Sequence, residues 1–209
     1  MPVLPVYEEM DIGAKGKIRP MISEDLPVVA ELLNNTWHGY DLYGRTSAEA
    51  LARFVNRTPA YSLTNIVVLE DRGEILASLG VWDWSQIARI TVKSLSLRLR
   101  ITGILVDAIG HFRPVPRLPK AGTTLRQWCL TPIAFSAPEN LKPLFRYLNN
   151  RALEVGIEQI FCLCERGHPL LTGMKGLFRR DVGMHLYVKP LQQSPAIGQK
   201  PVFIDGIDL

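Results

Sequence analysis

The chain has 209 residues, of which 47% are hydrophobic and 21% are charged, a composition that indicates one folded domain and excludes a disordered chain. Its formal charge of +4 comes from Lys and Arg residues scattered along the sequence, a pattern that does not indicate nucleic acid as a partner. Three cysteines and no signal peptide predict a reducing compartment, the cytoplasm, and no disulfides. No uncharged apolar run approaches the roughly 20 residues of a membrane span, and the cysteines lack zinc-site spacing with histidines.

The first 16 residues contain two prolines and two glycines without hydrophobic periodicity, so they are predicted to be an arm or linker. A strand is predicted over residues 17–22. Ser23 then offers an N-cap, and apolar residues recur at helical spacing as far as Trp37. A second helix is predicted over residues 47–57.

The clearest pairing signal is a hairpin. Two apolar runs, residues 65–70 and 75–84, flank a polar turn in which Gly73 can supply a positive φ. Residues 86–123 are interpreted as an insertion that contains a strand and a helix and ends in a proline-rich connection. Its apolar, arginine-containing part, residues 95–112, is predicted to pack against the domain, with a lid over the cleft or a membrane-surface helix as the alternatives.

The second half of the sequence alternates strands and helices. Pro132 interrupts a predicted strand over residues 124–135 and indicates a bulge or a diverging edge, because proline lacks the N–H that a ladder needs. The remaining predicted elements are a helix over 140–155 ended by Gly156, a buried strand over 157–164, a short helix over 170–176, a strand over 184–188 and a polar tail from residue 192.

This order of elements resembles that of the GNAT superfamily of acyl-CoA-dependent N-acyltransferases. The similar segments are residues 18–20 followed by 23–27, the end of the hairpin at 79–82, and 148–156 leading into 157–163. The resemblance covers residues 17–191 and implies an α/β (α+β) fold, with a mixed, mostly antiparallel central sheet flanked by helices. It leaves residues 1–16 as an arm, 86–123 as an insertion before the fourth strand, and 192–209 as a tail.

In that superfamily the fourth and fifth strands part, pantetheine lies between them, and a glycine-containing loop at a helix N-terminus binds the CoA pyrophosphate. The resemblance therefore implies acetyl-CoA or another acyl-CoA as co-substrate, no metal, and a small-molecule or peptide amine as acceptor; a homodimer is left open. The cofactor-binding residues that it implies are Ile133, Ala134, Phe135, Ser136, Asn140 and Leu141.

Two features of the family pattern are missing. Residues 136–142 contain no glycine, Pro138 lacks an N–H, and Glu139 places a negative charge where the diphosphate would bind. The Tyr that serves as general acid in many members has no counterpart, because Gly173 falls near its position. The alternative function is therefore a catalytically degenerate GNAT-like domain that serves binding or assembly, with membership of a longer two-domain protein left open.

The catalytic candidates follow from the expected parting of the strands. His168 and Glu165 would then face a cleft shared with Thr131, and they form the available acid–base pair for attack of an amine on a thioester. The alternative is that Glu165 and His168 belong to an ordinary turn. The three cysteines are interpreted as core residues.

The loop between the first two helices is dense in side chains that stack and hydrogen-bond, and in the resembled family this connection lines the acceptor site. Two residues at the end of the hairpin would add an acidic anchor for a cationic amine. The alternative is that these aromatic residues only close the edge of the core. The predicted substrate-binding residues are Trp37, His38, Tyr40, Asp41, Tyr43, Trp82 and Asp83.

Overall fold

The computed structural model describes residues 1–116, 118–185 and 200–204. Their strands are β1 (Pro2–Pro5), β2 (Lys17–Pro20), β3 (Ile66–Asp71), β4 (Glu74–Asp83), β5 (Ile90–Thr91), β6 (Thr124–Leu125), β7 (Gln127–Phe135), β8 (Gln159–Phe161) and β9 (Arg180–Asp181). Seven of these described strands form one sheet in the order β2-β3-β4-β7-β8-β1-β9, while β5 and β6 pair separately. Only β7 and β8 run parallel among the described pairs, so the sheet is mixed and mostly antiparallel, as predicted.

The helices are α1 (Leu26–Thr36), α2 (Ala48–Arg57), α3 (Leu97–Ile109), α4 (Leu141–Glu154) and α5 (Leu170–Gly173). Ser47 caps α2 as predicted, its hydroxyl accepting from the Ala50 N–H at 3.2 Å. Gly156 has a φ of 71° just beyond α4, the conformation that ends many helices. In the part of the chain that the structure describes, no helix has the length and apolarity to cross a bilayer.

The hairpin prediction is confirmed by β3 and β4. Arg72 and Gly73 are the two central residues of the turn, with φ values of 50° and 83°. Two positive φ values in a two-residue loop match the right-handed twist of the strands. β2 then pairs antiparallel with the outer edge of β3, so α1 and α2 connect two neighbouring strands of the sheet.

An ion-pair network fixes the corner where the chain leaves β2 for α1. Ser23 is not an N-cap; Ser23–Asp25 form a 3₁₀ turn, and the Asp25 carboxylate accepts from the Ile22 N–H at 2.9 Å. The Arg19 guanidinium donates to Asp25 at 2.6 Å and to Glu70 at 2.7 Å. These bonds to Arg19 lower the pKa of Asp25 below its ordinary value.

The structure corrects the prediction of a free N-terminal arm. Pro2–Pro5 form β1, which pairs antiparallel with β8 on one side and β9 on the other. The adjacent residues follow α4, since Asn149 donates to the Glu8 carbonyl at 2.8 Å and Asn150 to the Met10 carbonyl at 2.8 Å. No hydrophobic periodicity marks this strand, because it is only four residues long and has proline at both ends.

The core lies between the sheet and the helices packed on it. α4 supplies Leu141, Leu144, Phe145 and Leu148, each at most 1% exposed, and α1 supplies Val29, Ala30 and Leu33. Both sets recur at intervals of three or four residues, which places them on one face of their helix. The apolar periodicity of these two helices therefore reports true burial.

Two other predictions need correction. No residue of α3 is buried, so the expected packing of this helix against the domain is wrong, although the helix itself exists. The predicted strand over residues 184–188 lies mostly outside the described residues. Met184 and His185 are not in a strand, and the described strand of this region is instead β9.

Candidate functional site

β7 and β8 are paired at one end and apart at the other. Residues 127–129 of β7 pair in parallel with residues 159–161 of β8, while β7 continues to Phe135 and β8 ends at Phe161. The strand that carries Pro132 therefore leaves its neighbour just before that proline. The result is a wedge between the two strands, open toward Phe135.

The parting coincides with an irregularity on the other side of β7. The register between β4 and β7 shifts between Leu79 and Val81, opposite the cis peptide bond between Thr131 and Pro132. Gly80 occupies this point, and a Cβ there would overlap the Thr131 carbonyl oxygen and the Tyr61 hydroxyl. Only glycine lets β4 and β7 approach each other so closely.

The end of α1 covers the edge of β7 that faces the wedge. The Thr36 hydroxyl accepts from the Phe135 N–H at 2.9 Å and lies 3.1 Å from the Phe135 carbonyl oxygen. The Trp37 indole N–H donates to the Ile133 carbonyl at 2.8 Å. The backbone N–H and C=O groups of Ile133 and Phe135 point away from β4, because the backbone groups of successive residues point to opposite edges of a strand. Side chains of α1 thus take the bonds that a ligand lying along this edge would otherwise make.

An aromatic cluster occupies the space at the mouth of the wedge; it consists of Trp37, Tyr40, His168 and Phe203. The imidazole of His168 stacks on Trp37, with ring centroids 4.5 Å apart and 26° between the planes. Tyr40 meets both rings, at 5.3 Å from Trp37 and 5.2 Å from His168. Phe203 contacts Trp37 edge to face, with ring centroids 4.7 Å apart. Three distant parts of the chain therefore meet here.

Residues 200–204 are held at this position by backbone bonds. The Asp41 N–H donates to the Pro201 carbonyl at 2.8 Å, and the Phe203 N–H donates to the Asp41 carbonyl at 2.9 Å. The segment therefore runs parallel to the loop between α1 and α2 as a one-residue bridge. This loop, predicted to bind substrate, is partly covered by the chain itself.

The protonation state of His168 follows from its surroundings. The ring is 4% exposed, and burial lowers its pKa to about 4, so it is neutral at neutral pH. Its Nδ1 accepts from the Leu170 N–H at 3.0 Å, which places the proton on Nε2. Within the described part of the chain this buried Nε2 has no hydrogen-bond partner. His168 therefore presents a donor, not a base.

The start of α4 is poorly equipped to bind a diphosphate. The Asn140 N–H is bonded to the Ala137 carbonyl and the Leu141 N–H to carbonyls of the preceding 3₁₀ turn. Pro138 and Pro143 have no N–H to offer, and Glu139 is exposed beside them. Helix N-termini bind phosphate through free N–H groups and a positive dipole end. The residues present do not fit the diphosphate of coenzyme A.

α5 packs tightly onto that same turn. A Cβ at Gly173 would lie 2.7 Å from the Pro138 carbonyl oxygen and 2.9 Å from Leu141 Cβ. No side chain fits there, so the position at which many family members carry a Tyr is closed here by backbone contact. A phenol has to come from elsewhere, and Tyr40 is the tyrosine that the fold brings beside His168.

A cavity of ≈ 390 Å³ opens next to the wedge. It is lined by residues of α1 and α2 together with Pro132 of β7 and Phe203. Two cationic side chains, Arg53 and Arg57, line it, and the Arg57 guanidinium sits 5.9 Å from the centre of the Phe54 ring. The cavity therefore combines aromatic walls with positive charge.

Solved structures provide the comparisons with known proteins; no protein-family model matches the chain, and no curated protein matches it. The chain matches glucosamine-6-phosphate N-acetyltransferase from Arabidopsis thaliana at 15% identity, over 83% of this chain and 98% of that one, with a TM-score of 0.48. It matches 36% of Saccharomyces cerevisiae N-myristoyltransferase with bound myristoyl-CoA over 79% of its own length, at 14% identity and a TM-score of 0.48. A predicted acetyltransferase with acetyl-CoA from Clostridium acetobutylicum matches at 13% identity, over 82% of this chain and 95% of that one, with a TM-score of 0.46.

Such low identities, with TM-scores below 0.5, carry no argument about activity. The fold is evident from the strand order and from the wedge between β7 and β8. The chain has the GNAT fold. β7 and β8 take the places of the two parting strands that the sequence resemblance implies, and β5, α3 and β6 lie between β4 and β7 in the chain.

The structure brings some of the predicted GNAT site residues together. His168, Trp37 and Tyr40 are in mutual contact, Tyr43 packs against Phe203, and Asp41 anchors residues 200–204. Glu165 and His38 are exposed nearby in the same loops. Of the residues predicted to bind the cofactor, Ile133, Ala134, Phe135 and Leu141 are buried, Asn140 is half-buried and Ser136 is exposed.

Other predicted site residues lie elsewhere. Trp82 and Asp83 pair with Cys129 and Trp128 at the closed end of the wedge. Trp82 donates to the Pro59 carbonyl at 3.1 Å, and Asp83 caps the turn that starts at Trp84. Thr131 is buried, and its carbonyl accepts from the Tyr61 hydroxyl at 2.6 Å.

Sequence reasoning missed Phe203 and the two arginines of the cavity. Phe203 belongs to a stretch read as a polar tail, in which a single aromatic residue is no signal of packing. Arg53 and Arg57 are four residues apart on α2, a spacing that places them on one helical face, and this spacing could have indicated a common role.

Proposed function

We propose that the protein is an acyltransferase of the GNAT type, which moves an acyl group from a thioester donor to a small-molecule or peptide amine. The observation that carries the proposal is the Nε2–H of His168, which is buried at the mouth of the wedge and has no acceptor among the residues that the structure describes. Leaving a buried donor without an acceptor costs about 1–3 kcal/mol, and such groups call for an explanation. A reacting carbonyl oxygen is the acceptor that a GNAT cleft would bring to it.

In this proposal His168 stabilises charge and does not remove a proton. When an amine attacks a thioester, negative charge develops on the carbonyl oxygen, and a preorganised donor in a dry site stabilises it. A neutral imidazole with its proton on Nε2 suits this task across the neutral pH range. Burial and, second to it, the charge of Glu165 raise the pKa of the Tyr40 phenol, which keeps Tyr40 protonated and able to supply a proton to the departing thiolate, while water takes the proton that the attacking amine loses.

The cavity beside the wedge is the proposed acceptor site. Pro132 lines this cavity, so a molecule in the cavity would lie next to the bulge of β7. Arg53 and Arg57 favour an acceptor that carries a carboxylate or phosphate besides its amine. Tyr43 lines the same cavity.

The proposed donor is a thioester that gains little from a nucleotide diphosphate, since the start of α4 does not fit one. Acetyl-CoA and acetylpantetheine, which lacks the nucleotide, separate this proposal from a full coenzyme A site. We expect the two to stabilise the protein equally in thermal shift, by about 2.7 kcal/mol at a hundredfold excess over Kd. Free thiol should then appear when an anionic amine is added.

The matched variants for this experiment are His168→Ala and His111→Ala, the second an exposed histidine of the insertion. We expect His168→Ala to lower kcat about 100-fold with little change in KM, because the lost bond forms only as charge develops. His111→Ala should retain full activity. If neither thioester shifts the melting curve, the proposal of acyl transfer from these donors fails.

A second function, ligand binding or assembly without transfer, is favoured by the occupied edge of β7. Thr36 and Trp37 already take the Ile133 and Phe135 backbone groups along which a donor would lie. In this case an anionic ligand would bind in the cavity, and neither thioester would shift the melting curve. The double variant Arg53→Gln with Arg57→Gln would abolish the thermal shift that the anionic ligand causes. Binding of a thioester that competes with such a ligand would contradict it.

A further inference from the structure

Helix α3 presents an unbroken apolar stripe to solvent. Leu97, Ile101, Ile104 and Leu105 recur at intervals of one or two helical turns, so their side chains share one face. They are 73%, 52%, 70% and 59% exposed, and Phe112, just beyond the helix, is 92% exposed. Exposed apolar residues that occur singly need no explanation, whereas a contiguous set of this kind marks an interaction surface.

The opposite side of α3 is the one that contacts protein. A Cβ at Gly103 would lie 4.0 Å from Leu118, and one at Gly110 would lie 3.5 Å from Val115. Val106 lines a small cavity with the same two residues. The apolar stripe therefore lies on the side of α3 opposite to its neighbours Val115 and Leu118.

The insertion also concentrates the positive charge of the protein. Residues 86–123 contain seven Lys and Arg and one acidic residue, a net charge of +6, so the rest of the chain has −2 of the total of +4. Arg98 and Arg100 flank the apolar stripe on its two sides, as the helical angle of about 100° per residue requires. Both are exposed, and long basic side chains can keep their charge in water while the stem covers apolar surface.

We propose that the insertion binds the surface of a bilayer that contains anionic lipids, with α3 lying in the plane of the interface. An apolar face enters the acyl boundary and flanking basic groups contact the headgroups, the arrangement of interfacial helices. At 13 residues, α3 is too short to span the roughly 30 Å hydrocarbon core. This interaction is independent of the reaction proposed for the wedge.

Charge distinguishes the bilayer from the other occupants of such a face. A second copy of the chain docked through the same helix would bring one insertion of +6 against another, and like charges at close range repel. A nucleic acid would pair with the arginines but leave the apolar stripe in water. An anionic bilayer satisfies both features at once.

Sedimentation of the full chain with vesicles tests the proposal. Vesicles of phosphatidylcholine with about 30% phosphatidylglycerol should bind the protein, and vesicles of phosphatidylcholine alone should bind it far more weakly. Ile104→Glu combined with Leu105→Glu should abolish binding. Arg98→Gln and Arg100→Gln should each weaken it about fivefold, the effect of one basic side chain near an anionic surface.

The matched controls are Val28→Glu, an exposed apolar residue of α1 that is 47% exposed, and Lys15→Gln, an exposed basic residue outside the insertion. Both should bind as the unchanged protein does. The proposal is overturned if neither vesicle binds the protein, or if the controls lose binding as α3 variants do. A dimer that forms without vesicles and dissociates on Ile104→Glu would assign the face to a second copy and overturn it as well.

Discussion

The two ends of β7 satisfy the same backbone requirement by different means. At the closed end the ladder with β8 does so, and the Gln127 amide adds a bond to Gln159 at 2.8 Å. At the open end the edge bonds instead to the side chains of Thr36 and Trp37. The backbone N–H and C=O groups along a buried strand edge need hydrogen-bond partners, but these partners can be side chains and need not belong to another strand. Opening a cleft between strands therefore leaves the backbone satisfied only as long as something replaces the lost neighbour.

The largest effect is expected at the point where the two ends meet. Gly80→Ala would push a Cβ into the Thr131 carbonyl and the Tyr61 hydroxyl, so we expect a loss of about 4 kcal/mol in the free energy of unfolding, or no folded protein. Gly44→Ala is the control, because nothing lies within 4 Å of its Cβ position. Urea unfolding measures both. A Gly80→Ala protein as stable as Gly44→Ala would show that the bulge tolerates side chains.

The burial of His168 in the aromatic cluster at the open end predicts that the free energy of unfolding depends on pH. Unfolded His168 takes up a proton below its ordinary pKa of 6.5, whereas the folded protein does so only near its lowered pKa of about 4. The unfolded state therefore binds more protons in this window, and stability falls as the pH drops from 6.5 to 4, by about 2–3 kcal/mol.

His168→Gln removes the titrating group, so its stability should change little between pH 6.5 and 4, and His111→Gln should keep the full slope. Asp25 acts in a separate range. Arg19 lowers its pKa below the ordinary value of 3.8, so the stability that this pair contributes is present above that value and is lost only in stronger acid. An unchanged slope in His168→Gln would mean that the ring is hydrated in solution.

A smaller effect is expected from the open edge itself. Thr36→Val keeps the shape of the side chain but leaves the Phe135 N–H without its acceptor, which should cost about 1–2 kcal/mol. Thr58→Val is the matched control, since the Thr58 hydroxyl donates only to the Phe54 carbonyl at 2.7 Å and that oxygen also receives the Thr58 N–H. Faster hydrogen exchange at the Phe135 amide in Thr36→Val alone would confirm the assignment. Equal losses in both variants would contradict it.

Sequence reasoning succeeded where the signal is local. A two-residue turn with Gly73, a cap at Ser47 and a proline at position 132 each have a physical consequence within a few residues, and the hairpin, α2 and the parting of β7 followed from them. It failed where the partner is remote. Nothing near Thr36 or Trp37 shows that they bond to Ile133 and Phe135, almost 100 residues away.

The same limit explains the errors at α3 and at the chain ends. The apolar content of α3 was correctly read as helical, but composition does not tell whether an apolar face meets the domain or another surface. Phe203 and β1 join the molecule through segments of only a few residues, and segments this short have no periodicity to detect. The sequence therefore predicted a cleft at the candidate site, but it did not predict that side chains and residues 200–204 partly cover this cleft.

The position of β1 in the sheet determines when this strand can pair during synthesis. Val3 pairs with Phe161, so during synthesis β1 waits for more than 150 residues before its neighbour exists. Long-range pairing of this kind slows folding and leaves apolar segments uncovered in the meantime. The β3–β4 hairpin can form while β1 is still unpaired, and β1 can take its place between β8 and β9 only after both have been synthesised.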